Sequence, residues 1–188
     1  MTASTPIDEK TDEELAREAR AGSRRSFEEL ALRYKRRLFV FLRSRLGSDQ
    51  DAEDMVQETF FKLYRNIGNY DHAYHFSTWL YTSANRLAIS SYRKRKTAES
   101  RLESDGRREP ADPAAGPDGE SAVDDLWAEA RTLGGSQFRA LWLRYGEDLG
   151  IDEIAATLGK SRLTVRVLLH RARTNLMKRR GDKPCSAT

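Results

Sequence analysis

The chain has very little cysteine. Its single thiol, Cys185, cannot form an internal disulfide, which fits a reducing compartment and a cytoplasmic protein. Long apolar runs are missing too. The longest, Leu38-Phe39-Val40-Phe41-Leu42, falls far short of the ~20 residues that cross a bilayer. The amino-terminal MTASTPIDEKTDEE lacks the basic-then-apolar order of a secretory signal. No metal-spaced Cys/His set, Gly-rich phosphate loop, or Ser or Cys nucleophile with a placed base occurs, so no catalytic residue, metal site or cofactor is expected. Nothing alternates with a period of two over a useful length. A sheet is therefore excluded, leaving an all-α chain.

What is present is charge, unevenly distributed. Of 188 residues, 33 are Lys or Arg and 29 are Asp or Glu, a net charge of only +4. The 38% hydrophobic content allows a modest core in one or two small domains. The most organised stretch runs from Gly150 to Gly181. Ile151, Ile154, Ala155 and Leu158 mark one face of a short helix, with Asp152 and Glu153 at its positive end. Gly159 suits a left-handed stop, and Ser161 a cap for a second helix. That helix aligns Val165, Leu168, Leu169, Ala172 and Leu176 as its apolar stripe. From Gly159 to Gly181 there are eight Lys and Arg and no acid. Ordinary surface helices mix signs to gain i,i+4 pairs. This pattern favours a helix-turn-helix whose second helix lies in a major groove over a helical hairpin with a solvated basic face. With the stripe inward, Leu163, Val167, His170, Arg171, Thr174 and Lys178 point outward, and Arg166 and Arg173 flank the core. Arg166 and Arg171 suit guanine edges or phosphates, Leu163 and Val167 thymine methyls, and Ser161 and Thr164 phosphates.

From the amino terminus, residues 1–10 read as disordered. Thr11-Asp-Glu-Glu14 resembles a cap opening a helix with Leu15 and Ala19, broken at Gly22-Ser23. Ser26 is expected to cap a longer helix that ends at Gly47-Ser48. A third helix carries Ala52, Met55, Val56, Thr59, Phe60, Leu63 and Ile67 at helical spacing. Residues 66–78 read as a loop, followed by a helix from about Thr78 to Lys96. Between Glu99 and Asp125 lie nine acids and three arginines, and Pro110, Pro113 and Pro117 are three of the chain's five prolines. This composition belongs to a flexible acidic linker. The expected architecture is two small helical domains, 11–97 and 122–181, joined by a tether at 98–121, with a tail at 182–188.

Two further stretches suggest binding. Asp51, Asp54 and Glu58 fall at i, i+3 and i+7 of one helix, with Glu53 and Gln57 beside them. A solvated face is the ordinary reading of such acids, and a dock for a basic partner the functional one. A carboxylate metal pair would want Glu-x-x-His partners, which the chain lacks. Farther on, Tyr70, Tyr74, Phe76, Trp79, Tyr81 and Tyr92 interleave with His72, His75, Arg86, Arg93, Lys94, Arg95 and Lys96. Rings beside cations can stack bases and track phosphates of a single strand, although helical spacing sends about half of these rings to the core.

Taken together, Ser26–Leu42, Asp51–Ile67, Phe76–Ile89 and Phe138–Arg173 resemble bacterial RNA polymerase sigma factors of the extracytoplasmic-function type. Asp54-x-x-Gln57-Glu58-x-Phe60 with Phe76-Ser77-Thr78-Trp79 is specific in combination. The resemblance implies a factor that binds core RNA polymerase and directs initiation at promoter DNA. Asp51, Asp54, Gln57 and Glu58 would dock on the coiled coil of the largest subunit, with the flap a further partner surface on the polymerase. Asn69, Tyr70, Tyr74, Phe76, Trp79, Asn85, Arg86, Arg93 and Lys94 would melt the minus-ten element. Ser161, Arg162, Leu163, Thr164, Arg166, Val167, His170, Arg171 and Arg173 would read the minus-thirty-five element. Relatives are often held by an anti-sigma protein, but no residue here identifies one. Asn85-Arg86 inverts a common Arg-Asn pair, Ser90 stands for a frequent Asp, and Gly134 replaces a usual Pro. Leu163 and Val167 replace small or polar residues on the DNA face. The competing classes are a stand-alone helix-turn-helix regulator, which would footprint without polymerase, and a helical metal-carboxylate enzyme.

Overall fold

The computed structural model describes residues 6–101 and 122–181. Residues 1–5, the acidic stretch 102–121 and the tail with Cys185 lie outside the described residues. The chain divides into two compact units on either side of Gly106, and the described residues contain helices and no strand.

The first unit holds α1 (Asp12–Arg20), α2 (Arg24–Leu46), α3 (Asp49–Arg65) and α4 (Phe76–Arg101). Thr11 opens α1 with a reciprocal box. The Glu14 amide donates to the Thr11 hydroxyl at 3.2 Å, and the Glu14 carboxylate accepts the Thr11 amide at 2.8 Å. The residues before α1 are more ordered than their composition suggests. Ile7–Glu9 form a 3-10 turn, because the Arg33 guanidinium donates to the carbonyls of Lys10 (2.7 Å), Asp8 (3.0 Å) and Ile7 (3.2 Å).

Ser23, not Ser26, caps α2. Gly22 turns the chain at φ +103°, and the Ser23 hydroxyl accepts the Ser26 amide at 3.3 Å. Ser26 sits buried in the first turn and donates to the Glu18 carboxylate at 2.6 Å. The core follows helical spacing: Leu30, Leu38, Phe41 and Leu42 from α2, Ala52, Met55, Val56 and Leu63 from α3, and Leu80, Tyr81, Ala84 and Ala88 from α4 are all buried. Each fully buried large side chain contributes roughly 1.5–3 kcal/mol. Thr59, polar and buried among them, donates its hydroxyl to the Met55 carbonyl at 2.6 Å, which satisfies it. α4 begins two residues earlier than expected, because the buried Phe76 draws the first turn inward, and it extends through 98–101 into the expected tether.

The second unit holds α5 (Ala122–Arg131), α6 (Gly135–Leu141), α7 (Ile151–Leu158) and α8 (Arg162–Gly181). Trp127, Phe138 and Trp142 form an aromatic cluster, with Trp127 edge-on to Trp142 at 4.9 Å. α6 widens into a π turn over Trp142–Gly146, closed by the Glu147 amide donating to the Trp142 carbonyl at 3.1 Å. A Cβ at Gly146 would stand in van der Waals contact with the Trp142 ring, 3.4 Å away. The turn between α7 and α8 uses Gly159 at φ +63°, which L side chains rarely adopt. Val165, Leu169 and Ala172 of α8 and Ile154 and Leu158 of α7 are buried where the two helices pack together.

Candidate nucleic-acid interface

α8 presents the predicted reading face. Ser161, Arg162, Leu163, Thr164, Arg166, Val167, His170, Arg171 and Arg173 are all exposed, while Val165, Leu169 and Ala172 face inward. The Ser161 hydroxyl caps the helix, accepting the Thr164 amide at 3.1 Å, and lies 2.8 Å from the Thr164 hydroxyl. Arg162 turns back to pair with Asp152 of α7, which braces the two helices and partly neutralises that cation. Arg173 stands over the exposed Tyr145 ring at 5.9 Å. Arg166 and Arg171 extend from the same helix among Lys160 and Lys178, all of them exposed. A helix start with surrounding cations attracts phosphate.

On α3 the acids sort by exposure. Asp54, Gln57 and Glu58 are exposed on the side opposite the buried Ala52, Met55, Val56, Thr59 and Leu63. Gln50 donates to the Asp54 carboxylate at 3.2 Å. Asp51 differs from the other three: it lies half-buried in the first turn, with its amide donating to the Ser48 cap at 3.3 Å. The same face continues into Phe61, 63% exposed, with Arg65 over its ring at 5.6 Å. Phe61 is an addition to the expected residues of this face, and its spacing of four from Gln57 and three from Glu58 is the signal that places it there. Phe60 turns inward, edge-on to Phe27 at 6.5 Å.

The aromatic-basic stretch divides into support and surface. Tyr70, Phe76 and Asn85, expected as DNA contacts, are buried, so their side chains cannot meet a nucleic acid in this conformation. Tyr70 is the hub. Its hydroxyl donates to the Tyr74 carbonyl at 2.7 Å, and its own carbonyl accepts from Arg20 at 3.3 Å. Its ring lies 5.4 Å from Trp79 and 6.0 Å from Phe76. Burial first, then the nearby Glu13 and Asp71, pushes its phenol up to about 12. The Asn85 amide oxygen accepts from Arg45 at 2.9 Å, and burial lowers the Arg45 pKa. Asn69, Tyr74, Arg86 and Arg93 are exposed, and Trp79 is partly so. His75 contacts Glu13 at 3.2 Å and ties the loop to α1. The Lys94 side chain lies outside the described residues.

Among the described residues, no group of three or more His, Cys, Asp or Glu is arranged to hold a metal ion, and no helix is long and apolar enough to cross a membrane.

Known proteins match the same two units. Residues 30–98 match the family described as Sigma-70 region 2, and residues 127–176 match Sigma-70, region 4. The RNA polymerase sigma-H factor of Pseudomonas aeruginosa is 29% identical, over 89% of this chain and 92% of that one. The ECF RNA polymerase sigma factor SigE of Mycolicibacterium smegmatis is 32% identical, over 80% of this chain and 60% of its own length. The ECF RNA polymerase sigma factor SigW of Bacillus subtilis is 27% identical, over 88% and 95%. Among solved structures, the sigma factor RpoE of Bartonella quintana, in complex with the anti-sigma factor NepR, aligns at a TM-score of 0.67 with 24% identity, over 84% of this chain and 98% of that one. CnrH, in complex with the cytosolic domain of CnrY, aligns at 0.60 with 24% identity, over 92% and 99%. These two likenesses concern the fold.

Proposed function

This chain belongs to the sigma-70 family as an extracytoplasmic-function sigma factor, and we propose that its two units divide promoter selection between them once both are held on core RNA polymerase. One observation carries the proposal. The exposed face of α3 is acidic, with Asp54 and Glu58 flanking Gln57, while α8 is cationic and free of acid over its described side chains. The first face suits a basic protein dock, which we assign to the coiled coil of the largest subunit. The second suits a phosphate backbone, which we assign to the minus-thirty-five element.

The net charge of only +4 over the whole chain, with an acidic stretch between the two units, argues against strong binding of duplex DNA by the chain without polymerase. Anchoring through α3 raises the effective concentration of both units at the promoter. Contacts at minus thirty-five then hold the DNA while the 66–79 segment takes the minus-ten element. Asn69, Tyr74, Trp79, Arg86 and Arg93 supply the accessible rings, amide and cations there. Tyr70, Phe76 and Asn85 act from below by holding that surface in place. Capture of an unstacked base offsets the roughly few kcal/mol of lost stacking. The acidic stretch 102–121, on this reading, follows the RNA path of the polymerase as a nucleic-acid mimic. Deleting it without changing promoter selection or abortive synthesis would contradict that role. An anti-sigma protein covering these faces would keep the factor off the polymerase in the cytoplasm.

Footprinting tests the division. Promoter DNA should be protected at two elements by core polymerase plus this chain, and weakly or not at all by the chain alone. Equal protection without polymerase would instead favour a stand-alone helix-turn-helix regulator.

A further inference from the structure

The outward face of α8 begins with two apolar side chains. Leu163 is 71% exposed and Val167 39%. They stand four residues apart on one side of the helix, about 6 Å along its axis. The neighbouring exposed charges Lys160, Arg166 and Arg171 are positive, and the acid beside them, Asp152, is held by Arg162. That ring of charge suits an apolar group carried on a polyanion better than an apolar groove of a protein.

The polar groups beside Leu163 are already engaged. Arg162 is drawn back to Asp152, and the Ser161 and Thr164 hydroxyls lie 2.8 Å apart. The first outward side chains of a helix entering the major groove therefore carry neither donor nor acceptor. They cannot recognise a base edge through N7, O6 or an exocyclic amine. The apolar group that the major-groove edge does offer is the 5-methyl of thymine. A span of about 6 Å along the helix corresponds to roughly two base-pair steps of about 3.4 Å. His170 and Arg171, three and four residues beyond Val167, are the next outward side chains with donors to give.

Resting on the reading of α8 as the helix that enters the upstream promoter element, we propose that Leu163 and Val167 select thymine by contact with its 5-methyl groups at two positions roughly two steps apart. The specificity of this chain at those positions is then apolar, with hydrogen-bonded and phosphate contacts beginning at Arg166 and Arg171.

The test uses holoenzyme assembled from core RNA polymerase and the full chain. Bound DNA is selected from a pool randomised across the upstream block. The selected duplex is then synthesised with deoxyuridine in place of each thymine, so the two versions differ only by methyl groups. Loss of one contacted methyl should weaken binding about fourfold, and loss of both about fifteenfold. Leu163→Ala should weaken the thymine duplex and erase the difference at one position, and Val167→Ala at the other. Both sites are exposed and alanine favours helix, so the fold should survive. Arg171→Ala should weaken both duplexes alike. Selected elements lacking thymine at the two positions, or deoxyuridine duplexes bound as tightly as thymine ones, would overturn the methyl assignment and leave the role of α8 standing. Selection of no upstream element at all would overturn both.

Discussion

Tyr70 separates support from contact in the segment that leads into α4. Its ring is 1% exposed and packed among His72, Phe76 and Trp79 at 5.0, 6.0 and 5.4 Å. Tyr70→Phe keeps that packing and removes one neutral hydrogen bond, the 2.7 Å contact to the Tyr74 carbonyl, a loss of about 1 kcal/mol. Tyr70→Ala empties the space between three rings, which costs about 3–5 kcal/mol and frees the chain from Asn66 to His75. Amide hydrogen exchange in α1–α4 reads the stability of the first unit separately from the second. Permanganate reactivity of unpaired thymines reads promoter opening by holoenzyme. Tyr70→Phe should open promoters nearly as well as the parent chain. Tyr70→Ala should lose opening while retaining core binding through α3. A Tyr70→Phe chain with unchanged hydrogen exchange but no promoter opening would refute the supporting role, since its hydroxyl would then have to touch DNA. The same burial sets an alkaline signature. The phenol rises from an ordinary 10.0 to about 12 in the fold. The stability it contributes is therefore full below pH 10 and lost as pH climbs from there toward 12. Tyr70→Phe should remove that part of the alkaline loss, followed by tyrosinate absorbance.

Other outcomes follow from exposure and backbone geometry. Asp54→Arg reverses a charge on an exposed face, so core affinity should fall about tenfold or more (~1.4 kcal/mol). The stability of α1–α4 should stay within about 0.5 kcal/mol, and unchanged core binding would remove α3 as the dock. Gly159→Ala meets open space but must hold φ +63°. A loss of roughly 1–2 kcal/mol is expected in hydrogen exchange of α8, and a much larger loss would reveal packing against that turn. Glu18 is held below its ordinary 4.5 by hydrogen bonds from Lys10 and then Ser26. Its contribution is present above pH 4.5 and disappears as pH falls through the lowered value. Glu18→Gln should therefore flatten the acid limb of an unfolding profile in that window.

Local signals with one physical meaning were legible in the chain. Gly159 and Ser161 marked the turn between α7 and α8, and the observed φ of +63° and the Ser161 cap agree with them. Thr11 with Glu14 marked a capping box that is present. Signals with two readings were harder. Ser23 and Ser26 both suit a cap, and only the position of the turn at Gly22, with Glu18 ready to accept the Ser26 hydroxyl, separates them. Tyr70 and Tyr74 look alike as loop tyrosines, yet one is buried and the other 58% exposed. That difference depends on Arg20, Trp79 and Phe76, which are remote in sequence or on a neighbouring helix turn. The burial of Asn85 is not legible locally because Arg45, its half-buried partner, lies forty residues away. The order at Ile7–Glu9 depends likewise on Arg33. The π turn at Trp142–Gly146 has no signal in residue spacing, which reads simply as a continuing helix.

Run-off transcription decides whether this chain confers promoter choice on a polymerase. Core RNA polymerase is supplied with a promoter-bearing template, with and without the full chain. A sigma factor predicts a discrete transcript from one start site only when the chain is present, abolished by Asp54→Arg. Transcription indifferent to the chain, or a chain that never associates with core polymerase, would contradict the assignment.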